Sequence, residues 1–287
     1  MSSDLRLLPA ADFPPLLQEI PEPPTQLYVR GELPSFDDCR WLAVVGSRAV
    51  SSYGRQAVAH LIKGLTGYPV VIVSGLAYGI DALAHKAAIE AGLPTVAVPG
   101  SGLDWGVVYP RANVALAHEI LDAGGTLLSE FDPGQRAADY TFPKRNRIMA
   151  GMCHATLVVE AQERSGSLIT ARLATEYNRE LLVVPGSIFS DTSKGTHQFL
   201  KLGATPVTAP EDILRALGID PEEDRAPLNQ ADLTPEEARV LELLASPLER
   251  VALIEAIDMP IAEVGALLSM MEIKGLIVEE FGQMRRV

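Results

Sequence analysis

At 287 residues, 47% hydrophobic and 21% charged, the chain can bury a full core plus a small second domain and is too apolar for disorder. No run approaches the ~20 apolar residues of a bilayer-spanning helix, and no basic segment leads into an apolar one at the N-terminus, so neither a membrane anchor nor a signal peptide is expected. The net charge of −13 argues against nucleic acid only until it is located: residues 1–210 hold 20 acids and 17 bases, residues 211–287 hold 17 and 7, and Lys144–Lys201 holds 5 and 8.

Residues 1–40 are rich in proline and weakly periodic, and read as an extended arm. Residues 41–217 alternate short Val/Ile-rich runs with helix-period stretches. Strands are predicted at Leu42–Val45, Val70–Val73, Thr95–Val98, Thr126–Leu128, Thr156–Val159 and Leu181–Val184. Helices are predicted at Gln56–Leu65, Ile80–Ala91, Val114–Ala123 and Leu168–Asn178. Continuous apolar strands separated by helices imply a mostly parallel sheet covered on both faces, a Rossmann-like doubly wound α/β domain. Residues 218–232 read as an acidic linker. Residues 233–287 begin with the helix start Thr234-Pro235-Glu236-Glu237 and continue with three helical segments and a terminal hairpin, a winged-helix pattern.

Glycines follow the strands at Val45-Gly46-Ser47-Arg48, Val73-Ser74-Gly75, Val98-Pro99-Gly100 and Val184-Pro185-Gly186, as in a phosphate-binding rim. Arg48 stands where a guanidinium could clamp a phosphate bidentately, a role its place at the strand end favours over a surface ion pair. Thr141-Phe142-Pro143-Lys144-Arg145-Asn146-Arg147 packs three cations and a ring into the start of a helix. A solvated basic helix start would look the same, but cations beside a ring also suit single-stranded nucleic acid, neutralising phosphates while a base stacks. Ser165 and Ser167 could cap the following helix, and a capped terminus can still present free amides to a ligand. No G-x-G-x-x-G, Walker lysine, metal-spaced histidines or catalytic triad is present, so no cofactor, metal or enzymatic activity is expected. The unpaired spacing of Cys39 and Cys153 suggests reduced thiols in a cytosolic protein.

The series Pro23-Pro24-x-x-Leu27-Tyr28-x-Arg30-Gly31, Val44-Val45-Gly46-Ser47-Arg48, Ser74-Gly75-x-Ala77-x-Gly79-Ile80-Asp81-x-x-Ala84-His85, Phe142-Pro143-x-Arg145-Asn146-Arg147-Ile148 and Glu160-x-x-x-x-Ser165-Gly166-Ser167-Leu168-Ile169-Thr170 closely resembles the DprA/Smf family of bacterial DNA-processing proteins. The resemblance runs from about Pro23 to Pro210. It implies a homodimeric, cytoplasmic single-stranded DNA-binding protein that protects incoming DNA and loads the RecA recombinase in natural transformation. It also implies a DNA pocket lined by Gly46, Ser47, Arg48, Phe142, Arg145 and Arg147, with Lys144 as an added cation and Asn146, Gly166 and Ser167 alongside. Many members carry a helical domain before the Pro-Pro-x-x-Leu-Tyr motif, where this sequence has only the short arm. The helix Ile261–Lys274, with Glu263 and Glu272 against Lys274, suits a protein contact better than DNA. Two rivals remain: a nucleotide phosphoribohydrolase-like enzyme, of whose Pro-Gly-Gly-x-Gly-Thr motif Pro99-Gly100-Ser101-Gly102 is a partial echo, and a nucleotide-sensing regulator whose winged helix binds duplex DNA.

Overall fold

The computed structural model describes residues 4–222, 224, 234–257, 259–273, 276–280 and 282–286. It divides into two compact units, Met1–Ala226 and Pro227–Val287.

In the first unit nine strands form one sheet. They are β1 (Arg6–Leu8), β2 (Leu27–Arg30), β3 (Arg40–Val45), β4 (Val70–Ser74), β5 (Thr95–Ala97), β6 (Thr126–Ser129), β7 (Ala155–Val158), β8 (Glu180–Val183) and β9 (Thr205–Pro206), in the order β1-β2-β6-β5-β4-β3-β7-β8-β9. Every neighbour pair from β6 to β9 is parallel. The helices are α1 (Pro15–Gln18), α2 (Ser52–Lys63), α3 (Ile80–Glu90), α4 (Val114–Asp122), α5 (Thr141–Met152), α6 (Ser167–Glu176), α7 (Lys194–Lys201) and α8 (Pro210–Ala216).

Strand β3 shows why the sheet needs cover on both faces. Its successive side chains point to opposite sides. Trp41, Ala43 and Val45 join Ile148, Met149 and Met152 of α5 and Leu168 and Ala171 of α6. Leu42 and Val44 join Val58, Leu61 and Ile62 of α2 and Ile80 and Ala84 of α3. Residues Trp41 to Val44 are all 0% exposed, which explains the unbroken apolar run in the sequence.

The segment read as an arm contributes β1 and β2 to this sheet, antiparallel, with Tyr28 of β2 opposite Ser129 of β6. Helix α1 packs on α5, where Leu17 is fully buried, and Arg179 donates to the Leu16 carbonyl at 2.8 Å. Residues 6–30 are therefore woven into the domain and not draped over it.

After β3 the chain builds β4, β5 and β6 outward on one side, then returns to lay β7 on the other side of β3. Connections leave the carboxyl ends of β3 and β7 in opposite directions and open a crevice between them, the place where doubly wound sheets collect ligands.

The second unit contains α9 (Pro235–Leu243), β10 (Leu248–Glu249), α10 (Arg250–Ala256), α11 (Ile261–Ile273), β11 (Ile277–Glu280) and β12 (Gln283–Arg286). Its sheet runs β10-β12-β11 over a core of Val240, Leu253, Val264, Leu268, Met271 and Met284, a winged-helix arrangement. Thr234 caps α9 by accepting from the Glu237 amide at 3.2 Å, and the Glu237 carboxylate accepts in turn from the Thr234 amide at 3.0 Å. Of the expected linker, residues 223 and 225–232 lie outside the described residues, as does Lys274.

Candidate nucleic-acid interface

A cleft of about 520 Å³ occupies the crevice, with Gly46, Ser47 and Arg48 from the end of β3 on one wall. The opposite wall comes from α5 and from the loop 162–167 that leads into α6. Ser47 fixes the β3–α2 turn: its hydroxyl donates to the Ala49 carbonyl at 2.8 Å and accepts from the Ala49 amide at 3.2 Å. Glu160, 3% exposed, braces the same turn from the other side of the switch point. Its carboxylate accepts from the Ser51 hydroxyl at 2.5 Å, the Ser51 amide at 3.0 Å and the Thr192 hydroxyl at 3.0 Å.

Helix phase decides what α5 shows to the cleft. At about 100° per residue, Phe142, Arg145, Asn146 and Met149 fall on one face, and all four line the cleft. Arg147 lies roughly 140° around from Phe142 and turns elsewhere. It donates to the Glu22 carbonyl at 2.6 Å and forms an ion pair with Glu130, both side chains largely buried. Burial pushes the Glu130 carboxyl up while the Arg147 guanidinium pulls it back. Lys144 is exposed, its ammonium 5.9 Å from the centre of the Tyr140 ring.

Arg145 does not present its charge to the rim. It is 5% exposed and donates to the carbonyls of Gly75 and Val98, and to Asn146 Oδ1 at 3.0 Å. Burial lowers it to about 10, against the pull of Asp81. The guanidinium thus ties α5 to the ends of β4 and β5, and glycine at 75 leaves it room. Asp81, also buried, accepts from the Gly75 amide at 3.1 Å and the Ala77 amide at 3.4 Å; burial raises its carboxyl, opposed by Arg145. The sequence-based expectation of four phosphate-facing cations therefore narrows to Arg48 and Lys144, because the other two are spent on protein partners.

Arg48 is exposed at the mouth of the cleft, its guanidinium 5.3 Å from the centre of the half-buried Phe142 ring. A side chain at position 100 would collide with that ring, with a Cβ 2.6 Å from it, so Gly100 gives Phe142 its seat. A cation lying over an aromatic ring brings a phosphate-binding group and a base-stacking surface to one point.

Gly166 and Ser167 line the cleft at the start of α6. Gly166 at the N-cap offers no side chain, but the Ser165 hydroxyl accepts from the Ser167 amide at 3.4 Å, and the hydroxyls of Ser165 and Ser167 bond to each other at 2.7 Å. Asn146 reaches toward the Gly166 carbonyl at 3.5 Å, joining the two segments of that wall. Of the glycine turns, those after β3, β4 and β5 meet at the cleft or beneath Phe142, whereas Gly186 after β8 faces His197, which contacts its carbonyl at 3.1 Å. Sequence reasoning missed Tyr78 and Tyr109, 44% and 40% exposed beside Phe142. Their one signal was an aromatic residue inside a Gly- or Pro-containing loop.

Comparison with known proteins places this arrangement. The family described as DNA recombination-mediator protein A matches residues 5–218, and the DprA winged helix domain matches residues 224–283. The chain is similar to protein Smf of Escherichia coli K12, 45% identical over 213 residues, which are 74% of this chain and 56% of that protein. The chain thus spans little more than half the length of that relative. The crystal structure of DNA processing protein A from Streptococcus pneumoniae aligns with a TM-score of 0.68 and 41% identity over 74% of each chain. The Helicobacter pylori protein, whose structure is described as giving insight into its single-stranded DNA binding mode, aligns with a TM-score of 0.66 and 28% identity, over 74% of this chain and 95% of that one.

Proposed function

This chain belongs to the DNA recombination-mediator protein A family, and from that premise we propose that it binds single-stranded DNA in the switch-point cleft and acts as a recombination mediator, not as an enzyme. The carrying observation is Arg48 lying over Phe142 at the cleft mouth, one group for a phosphate and one for a base. The H. pylori relative's description points the same way. Transfer of the strand to RecA, action as a cytoplasmic homodimer and a part in natural transformation complete the reading, as the resemblance of its motifs to the DprA/Smf family implies. Among the described residues no helix is long and apolar enough to cross a membrane.

Two buried titratable groups of α3 are engaged inside the protein. His85 is buried and held down at about 3, so it stays neutral and exchanges no proton near pH 7. Asp81 spends an oxygen on two backbone amides. Fluorescence anisotropy with labelled oligo-dT, competed by duplex DNA and by free nucleotides, tests the proposal. Preference for the single strand, with no hydrolysis of ATP or of a nucleoside monophosphate, supports it. Turnover lost in Arg48→Ala would favour a phosphoribohydrolase-like enzyme instead.

A further inference from the structure

Beside the main cleft, and sharing Arg48, Ala77, Phe142 and Arg145 with it, lies a small recess walled by Tyr78 and Tyr109. We infer that these two tyrosines form a second base seat, on which the nucleotide next to the one held by Phe142 stacks as the strand leaves the cleft. The inference rests on the single-stranded DNA reading and extends it by one nucleotide in a stated direction, toward the carboxyl ends of β4 and β5 and away from α6.

Four observations carry it. The rings are there and uncovered: Tyr78 is 44% and Tyr109 40% exposed, in a region where burying them would stabilise the fold. They adjoin the first seat, since the Tyr109 and Phe142 ring centres are 5.8 Å apart and inclined at 58°. A strand bending around Arg48 could therefore lay successive bases on successive rings. The recess is too small to swallow a base, so the contact would be stacking on exposed ring faces, the sequence-tolerant mode of single-strand binding. Finally, the loop that carries Tyr78 is held in place before any ligand arrives. Asp81 accepts from the amides of Gly75 and Ala77, Asn113 donates to the carbonyls of Leu76 at 2.8 Å and Ala77 at 3.1 Å, and Arg145 donates to the Gly75 carbonyl. Leu76 is kept at φ 58°, an uncommon conformation for a non-glycine residue that only such over-determination sustains. A ring presented on a loop already ordered loses little entropy on binding.

The test is a set of short oligo-dT strands, each with one abasic nucleotide, titrated against wild type, Phe142→Ala, Tyr78→Ala, Tyr109→Ala and Tyr109→Phe. Tyr109→Ala should weaken binding of the intact strand roughly 5- to 100-fold with an unchanged salt slope, and Tyr109→Phe should restore it. The Tyr109→Ala and Tyr78→Ala losses should vanish on a strand abasic at one position, and the Phe142→Ala loss on a strand abasic at the neighbouring position. If one abasic position silences all of them, Tyr109 merely props Phe142 and the second seat is wrong. If the tyrosine variants bind like wild type while Arg48→Ala and Phe142→Ala bind weakly, the seat again fails but the cleft reading stands. If Arg48→Ala and Phe142→Ala also bind like wild type, the cleft reading itself fails.

Discussion

Replacing Arg145 by alanine separates a structural cation from a DNA-binding one. The side chain is 5% exposed and donates to Gly75, Val98 and Asn146, so its loss strands three acceptors in the interior. Hydrogen bonds from a charged donor contribute about 1.5–3 kcal/mol each, giving roughly 4–9 kcal/mol. Against this, burying the guanidinium lowers it from 12.5 to about 10. That shift is a standing cost of about 3 kcal/mol which the substitution removes. The net loss should centre on about 3 kcal/mol, a fall in Tm of roughly 6–12 °C for a unit of this size. Urea denaturation followed by tryptophan fluorescence reports the first unit alone, because both tryptophans, Trp41 and Trp105, lie in it. Arg48→Ala, at an exposed position, should stay within ~0.5 kcal/mol of wild type. A variant lacking Arg145 that is as stable as wild type but shows a flattened salt dependence of DNA binding would refute the reasoning and return Arg145 to the phosphates.

Arg147→Ala should destabilise the first unit by about 3 kcal/mol by leaving Glu130 buried without its cation, leave the salt slope of DNA binding unchanged, and recover in the Arg147→Ala/Glu130→Ala pair; a flattened slope would count against the assignment. His85 is depressed from 6.5 to about 3, so its contribution is complete above pH 6.5 and is lost as pH falls toward 3, where only the unfolded chain takes up the proton. Between pH 7 and pH 4.5 wild type should lose roughly 2–3 kcal/mol more than His85→Gln, whereas Asp81, with its raised carboxyl, acts in the opposite direction in both proteins; equal losses would show that His85 is not the titrating group. Helix α11 contains no lysine or arginine over Ile261–Ile273 and exposes Glu263, so deleting residues 227–287 should leave single-strand affinity unchanged or raise it at low salt; loss of binding in a still-folded fragment would make the winged helix a DNA-binding element.

The doubly wound core was legible because β3, β4 and β7 are buried on both faces and leave an unbroken apolar run in the sequence. Strand β2 was not legible. It pairs with β6 about a hundred residues away, and its Leu-Tyr-Val-Arg carries too little pattern among the prolines. Helix α7 is only eight residues long, and α8 seven. In the site, residue types were readable but directions were not. Three cations within four residues look alike until the helix turns Arg145 about 100° from Lys144 and Arg147 about 200° from Arg145, and other groups claim two of them. Gly75 and Val98, which fix Arg145, are 70 and 47 residues away in sequence. Tyr78 and Tyr109 went unnoticed for the same reason, because only the folded sheet brings their loops beside Phe142.

The most direct measurement is the salt-dependent affinity of wild type, Arg48→Ala and Phe142→Ala for labelled oligo-dT, with folding checked by tryptophan fluorescence. The account predicts that Arg48→Ala binds more weakly and loses ~0.7 from the slope of log K against log salt. Phe142→Ala should cost ~1–3 kcal/mol with the slope intact. If both folded variants bind as wild type does at every salt concentration, the cleft at the end of β3 is not where this protein holds DNA.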